Sequence, residues 1–175
     1  MAAASRSASE LDHFARLGLD RGFVIDREAL ERAYLERASQ AHPDRVVGES
    51  SDVRRAAMEA SAAINSAYRV LRDRVARAEY LVALAGVDLD SSDRQGGAPH
   101  PDQAFLIEMI ERRELLEDAD GPRLASLRDE VEAETEGVFD AAVAALAAGQ
   151  TRQAALALVH RRYLKRFLDE IDART

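Results

Sequence analysis

The sequence predicts an all-α protein built from two helical units. Nearly every long segment repeats its apolar residues at helical spacing, and no alternating, β-branched run bounded by turn residues marks a strand. One stretch interrupts this pattern, "GVDLDSSDRQGGAPHPDQ" from Gly86 to Gln103, rich in Gly, Pro, Ser and Asp. The expected organisation is an N-terminal domain over 10–85, a linker over 86–103 and a C-terminal three-helix domain over 104–175.

In the first unit, a short helix from about Leu11 to Leu17 should end at Gly18, a residue free to take a left-handed closing conformation. Asp26 is placed to cap the second helix, with Glu28 in its electropositive first turn. Leu30, Ala33, Tyr34, Ala38 and Ala41 form its inward face. Proline disfavours the α conformation at the residue before it, so Pro43 should stop this helix near Ala41 or His42. A third, longer helix is expected from about Val53 to Arg72, burying Ala60, Ile64, Ala67, Tyr68 and Leu71. A shorter one follows through Val75, Ala78, Leu81 and Val82. Two antiparallel helices joined by a loop, with short helices at each end, is the arrangement these segments favour.

The second unit reads as three helices. The first spans roughly Asp102 to Asp118. At about 100° per residue, Phe105, Met109 and Leu116 cluster on one side, whereas Ile107 and Ile110 point elsewhere, near Glu111 and Glu114. One apolar stripe would serve a small bundle, so the second needs an explanation: a broad core contact, or an apolar, acid-rimmed binding patch. Gly121-Pro122 starts the next helix, which Gly137 should weaken or bend slightly and Gly149 should close. Thr151 is the expected cap of the last helix, whose stripe is Leu156, Val159, Tyr163 and Phe167. Short connections make this an antiparallel bundle.

Composition narrows the function classes. The chain has no cysteine, which excludes disulfides, thiolate metal sites and a cysteine nucleophile. Its four histidines, His13, His42, His100 and His160, never stand at the i, i+4 spacing that pairs metal ligands on one helical face, so no metal or cofactor is expected. Residues 1–85 carry 13 of the 24 basic and 13 of the 32 acidic side chains, so the remainder holds the whole net charge of −8. No long basic surface suits a phosphate backbone, and nucleic acid is not an expected partner. The apolar runs are too short to cross a bilayer, and the opening "MAAASRSASE" lacks the hydrophobic core of a secretory signal, so a cytoplasmic protein is expected.

Between the second and third helices lies "ASQAHPDRVV", with His42, Pro43 and Asp44 in succession. Proline and aspartate are turn formers, and Asp44 could accept backbone hydrogen bonds, so alone the tripeptide reads equally as a turn. It is followed by "INSAYRVL" (Ile64 to Leu71) and "RAEYL" (Arg77 to Leu81). In that order these segments resemble the J-domain proteins, which place an HPD loop between two antiparallel helices. "HFARLGL", "RAEYLVALAG" and "FLIEMIERRELLED" extend the resemblance to the HscB-type, iron–sulfur-assembly branch in its bacterial form, across nearly the whole chain.

The resemblance implies a co-chaperone and not an enzyme, with no catalytic residues of its own. His42, Pro43 and Asp44, helped by Arg37 and Arg45, would dock on an HscA/DnaK-type heat-shock chaperone and stimulate its ATP hydrolysis. The C-terminal bundle would hold the iron–sulfur scaffold IscU through Leu106, Ile107, Ile110, Glu111, Glu114 and Tyr163, with Phe167 a neighbouring choice for the aromatic. Physical chemistry suits these types: proline restricts the loop before docking, a carboxylate can pair with an arginine of the partner, and imidazole can donate or accept. Two alternatives stand beside this reading, a J-domain protein serving another client and a helical adaptor in which the tripeptide is only a turn.

Two departures from the family pattern bear on docking. The residue before the tripeptide is usually aromatic and here is Ala41. The helix leading to it usually carries a basic patch, but Arg27, Arg32 and Arg37 are interleaved with Glu28, Glu31 and Glu36, leaving Arg45, Arg54 and Arg55 to contribute. A weaker, salt-sensitive encounter is the expectation.

Overall fold

The computed structural model describes residues 11–91 and 97–174; the expectations for the opening ten residues, the middle of the linker and Thr175 lie outside the described residues. The chain is all-α, with helices α1 (His13–Leu17), α2 (Arg27–Gln40), α3 (Ser51–Arg72), α4 (Arg74–Leu84), α5 (Gln103–Glu117), α6 (Gly121–Ala147) and α7 (Thr151–Asp172). Pro43–Val46 form a short 3-10 turn between α2 and α3. An isolated bridge joins Asp88 and Gly97 without making a strand. By packing, the chain divides into two compact units, one ending at Arg77 and the other starting at Ala78, so the division falls within α4, ahead of the expected linker.

The first unit is organised around α3, against which α1 and α2 pack. Asp12 caps α1 by accepting from the Ala15 N–H, and Gly18 ends it at φ 71°, a conformation a side chain would strain. Asp26 caps α2 through the Glu28 N–H, and the helix stops at Gln40 with Ala41 as its C-cap, as Pro43 dictates. Phe14, Leu17, Leu30, Ile64, Ala67 and Leu71 are buried, while Ala60 and Tyr68, expected inside, are only half-buried. Tyr68 instead stacks on Tyr34 with ring centroids 4.1 Å apart, and its hydroxyl donates to Glu31 across the hairpin.

In the second unit α6 and α7 form the principal pair, joined by a turn in which Gly149 takes φ 70°. Met109, Leu116, Val131, Leu164, Phe167, Leu168 and Ile171 make the core, with Phe105, Leu124, Leu127 and Val138 packed against it. Near the turn, Ala142, Ala145, Ala154 and Ala155 are buried, small side chains that let two backbones approach closely. Two expectations for α7 need correction. Gln150, not Thr151, is its N-cap, and no side chain caps it. The buried face runs along Leu158, Leu164, Leu168 and Ile171 as well as Val159 and Phe167, so the expected stripe marks only one edge; Leu156 and Tyr163 are half-buried. A helix that packs on two neighbours buries a wider arc than a single stripe.

Charged pairs then fix the second unit's helices to one another. Adjacent Arg112 and Arg113 serve different partners: Arg112 meets Glu134 of α6 at 2.6 Å, and Arg113 makes a two-pronged contact with Glu170 of α7 at 2.9 and 3.0 Å. Burial pulls the Arg112 guanidinium down, but Glu134 and Glu108 more than reverse this and hold it above its usual value. Arg162 of α7 reaches Glu79 at 2.8 Å and Asp90 at 2.7 Å. Among the described residues, no helix is long and apolar enough to cross a membrane.

Candidate functional site: an exposed turn and an outward apolar face

The α2–α3 connection is short because its residues are set for it. His42 is extended at φ −64° and ψ 128°, Pro43 occupies the first position of the 3-10 turn, and Ser50 caps α3 through the Val53 N–H. The Asp44 N–H donates to His42 Nδ1 at 3.3 Å. This reverses the expected polarity, since the imidazole rather than the Asp44 carboxylate takes the backbone bond. The His42 side chain is otherwise largely in solvent, 58% exposed.

Asp44 leaves its carboxylate in solvent: its side chain is 83% exposed and lies 3.6 Å from His42 Nδ1. Pro43 is half-buried. The turn therefore presents an exposed carboxylate and an exposed imidazole on a backbone pre-set by Pro43. Arg45 lies within the same turn, and its N–H donates to the His42 carbonyl at 3.1 Å. Arg37 stands in the last turn of α2, where a cation also complements the helix dipole. Both are exposed.

The surrounding charges are largely committed within the unit. Arg32 pairs with Glu28 at 3.5 Å, Arg55 stands between Asp52 at 3.5 Å and Glu59 at 3.2 Å, and Arg54 donates to the Glu49 carbonyl at 2.9 Å. Arg54 and Arg55 are thus less available than the sequence suggests, and Arg37 and Arg45 stand nearest the turn.

The second surface is on α5. Asp102 caps this helix by accepting from the Phe105 N–H at 2.9 Å, which fixes its rotation and sends Phe105, Met109 and Leu116 inward. Ile107 is 45% exposed and Ile110 56%, about 180° and about 120° around the helix from that core face. Glu111 and Glu114 share their side, and Leu106 flanks it at 38% exposure. Five of the six residues expected to meet a client therefore lie together on the outward surface of one helix.

Tyr163 is placed differently. It is half-buried on α7, its ring edge-on to Phe105 at 5.9 Å, in a groove it shares with Leu89, Pro99 and Pro101. Glu111 and Glu114 line another depression, with Leu115, Asp118 and Arg123. Phe167, the neighbouring choice, is fully buried in the core. Sequence reasoning did not single out Leu115, 50% exposed beside the outward face; its flanking acids were the available signal.

Comparison with known proteins accounts for both halves. Residues 12–80 match the DnaJ domain and residues 101–172 the HSCB C-terminal oligomerisation domain. The chain is similar to the co-chaperone protein HscB homolog of Bordetella avium, 43% identical over 123 residues that cover 69% of this chain and 71% of that one. The Burkholderia multivorans homolog is 35% identical over 169 residues, covering 92% of both chains. Among solved structures, the chaperone HscB from Vibrio cholerae superposes with a TM-score of 0.74 at 26% identity, over 94% of this chain and 97% of that one. The human co-chaperone HscB shares the fold, with a TM-score of 0.77 at 24% identity, over 94% of this chain and 82% of that one.

Proposed function

Since this chain belongs to the HscB family of co-chaperones, we propose that it stimulates ATP hydrolysis by an HscA/DnaK-type chaperone and delivers an IscU-type scaffold to it for iron–sulfur cluster maturation. It is a co-chaperone rather than an enzyme, and the groups that hydrolyse ATP belong to its partner. In this reading residues 10–85 act as the J-domain, 86–103 as the linker and 104–175 as the client-binding domain of a cytoplasmic protein.

The observation that carries the proposal is the outward face of α5. Two isoleucines held in water at 45% and 56% exposure, rimmed by Glu111 and Glu114, contribute nothing to the core of their own bundle. A client that covers them removes apolar area from water, and the acids favour a basic margin on that client. The His42–Asp44 turn serves the chaperone separately. Its backbone is restrained by Pro43 before docking, so less conformational freedom is lost on binding, and Asp44 offers an arginine of the chaperone a charge-assisted bond. Arg37 and Arg45 add long-range attraction that salt weakens.

Reconstitution tests this directly. Added to a purified HscA-type chaperone, the protein should raise steady-state ATP hydrolysis, and the IscU scaffold should raise it further at the same co-chaperone concentration. Stimulation without any further effect of the scaffold would assign the chain to another client. No stimulation would leave the turn as a turn.

A further inference from the structure

At the other end of the α2–α3 hairpin from the His42–Asp44 turn, about 20 Å along α2, four arginines converge. Arg27, Arg72, Arg74 and Arg77 line a cavity of about 300 Å³ together with Ile25 and Leu30. They come from three places in the chain: the start of α2, the end of α3 and the first turn of α4. Gathering like charges around one cavity is unfavourable unless something offsets the repulsion.

Arg77 is the most deeply buried of the four. Its side chain is buried, 9% exposed, with the guanidinium 4.9 Å from the Phe23 ring centre. One terminal nitrogen donates to the Leu71 carbonyl, but Nε is buried without a hydrogen-bond partner. An unsatisfied donor on a buried cation is among the more expensive features a fold can keep. Burial, and then the nearby charge of Arg74, pull this guanidinium below its usual value; Asp73 acts in the opposite direction. The Asp73 Oδ1 also accepts from the Ala76 N–H at 2.8 Å, the hydrogen bond that starts α4.

We propose that this cavity is a binding site for a small phosphate monoester, held by the guanidinium groups of Arg27, Arg72 and Arg77. A phosphate dianion has enough acceptor oxygens for several guanidinium forks at once, whereas a single carboxylate saturates one. The cavity also has an apolar wall, the half-buried Ile25 and the buried Leu30, where a small organic group would shed water. Its position separates it from the docking turn, so occupancy stabilises the N-terminal unit by mass action without covering His42 or Asp44.

The test uses the full-length chain and the Nε–Hε resonance of Arg77 in a proton–nitrogen correlation spectrum. Inorganic phosphate at constant ionic strength should move this resonance saturably, and phenyl phosphate should bind more tightly than inorganic phosphate. Chloride and acetate should leave it in place. Arg27 and Arg72 are exposed, so an R27Q/R72Q variant keeps the packing of Arg77 and should bind phosphate at least about tenfold more weakly. Equal response to chloride or acetate would overturn the assignment, as would full affinity in R27Q/R72Q. Should Arg77→Gln fail to fold, the double variant still decides the question.

Discussion

Tyr34 and Tyr68 stack across the α2–α3 hairpin, with ring centroids 4.1 Å apart and planes 18° from parallel. Both hydroxyls are also engaged: Tyr34 donates to Asn65 at 3.1 Å and Tyr68 to Glu31. The contact couples the partly apolar face of α2 to the C-terminal half of α3, away from the His42–Asp44 turn. Tyr34→Ala should remove the aromatic pair, about 1 kcal/mol beyond the area it covers, and lower the thermal midpoint of the N-terminal unit. Tyr34→Phe keeps the stack and loses only an exposed bond to Asn65. A midpoint equal to wild type in Tyr34→Ala would show that the hairpin does not depend on this pair.

Replacing His42 by Gln leaves a polar, extended residue before Pro43 but removes the imidazole. Because the side chain is exposed, stability should change by no more than about 0.5 kcal/mol, and circular dichroism should show unchanged helix content. Stimulation of the chaperone's ATPase should fall to its basal rate. Stimulation retained at the wild-type level would mean that the turn is not the docking surface.

Alanine at Ile107 and Ile110 separates client from chaperone. Both side chains already face water, and alanine is the better helix former, so the bundle should lose no stability. Scaffold affinity should drop about tenfold or more, as when apolar anchors of an interface are truncated. ATPase stimulation without scaffold should be unchanged. Titration calorimetry with the scaffold and a chaperone assay without it read the two outcomes independently.

The structure explains why some of this was legible in sequence and some was not. Caps are local: Asp26 and Gly18 act on N–H and C=O groups within a few residues, and each starts or ends a helix where its type predicts. The two-sidedness of α5 was legible because Met109 and Ile110 are fixed on different sides by helical geometry alone. Pairings distant in sequence leave no such trace. Arg112 and Arg113 read as ordinary surface charges until α6 and α7 bring Glu134 and Glu170 beside them. The buried face of α7 is wider than its periodic stripe because sequence periodicity does not say how many neighbours a helix has. The polarity of the His42–Asp44 turn depends on a ring rotamer that sequence does not specify.

Gly137 lies within α6, and a methyl group added there meets nothing within 4 Å. Its backbone is not among the positive-φ glycines, so alanine fits without strain. Gly137→Ala should stabilise the C-terminal unit by about 0.5–1 kcal/mol, measurable as a raised denaturant midpoint with an unchanged slope. A lower midpoint would indicate that α6 needs glycine at this position for its packing.

His160 gives the C-terminal unit a pH dependence with a definite sign. Its ring lies parallel to Phe105 at 4.0 Å, and Nε2 is buried without a hydrogen-bond partner. Burial depresses its pKa below the ordinary 6.5, against the smaller opposing pull of Asp102 and Glu134. A base with a depressed folded pKa binds its proton more readily when unfolded, so stability is fully present above pH 6.5 and is lost as pH falls through the folded value. His13 shifts in the same direction in the N-terminal unit, also chiefly through burial, so global unfolding would mix the two. Residue-resolved hydrogen exchange along α5 and α7 separates them. Protection there should decline on acidification from pH 7 toward 5 in the wild type and decline less in His160→Gln, which cannot take up the proton. An identical decline in the variant would assign the acid sensitivity to the carboxylates that pair with Arg112 and Arg113 instead.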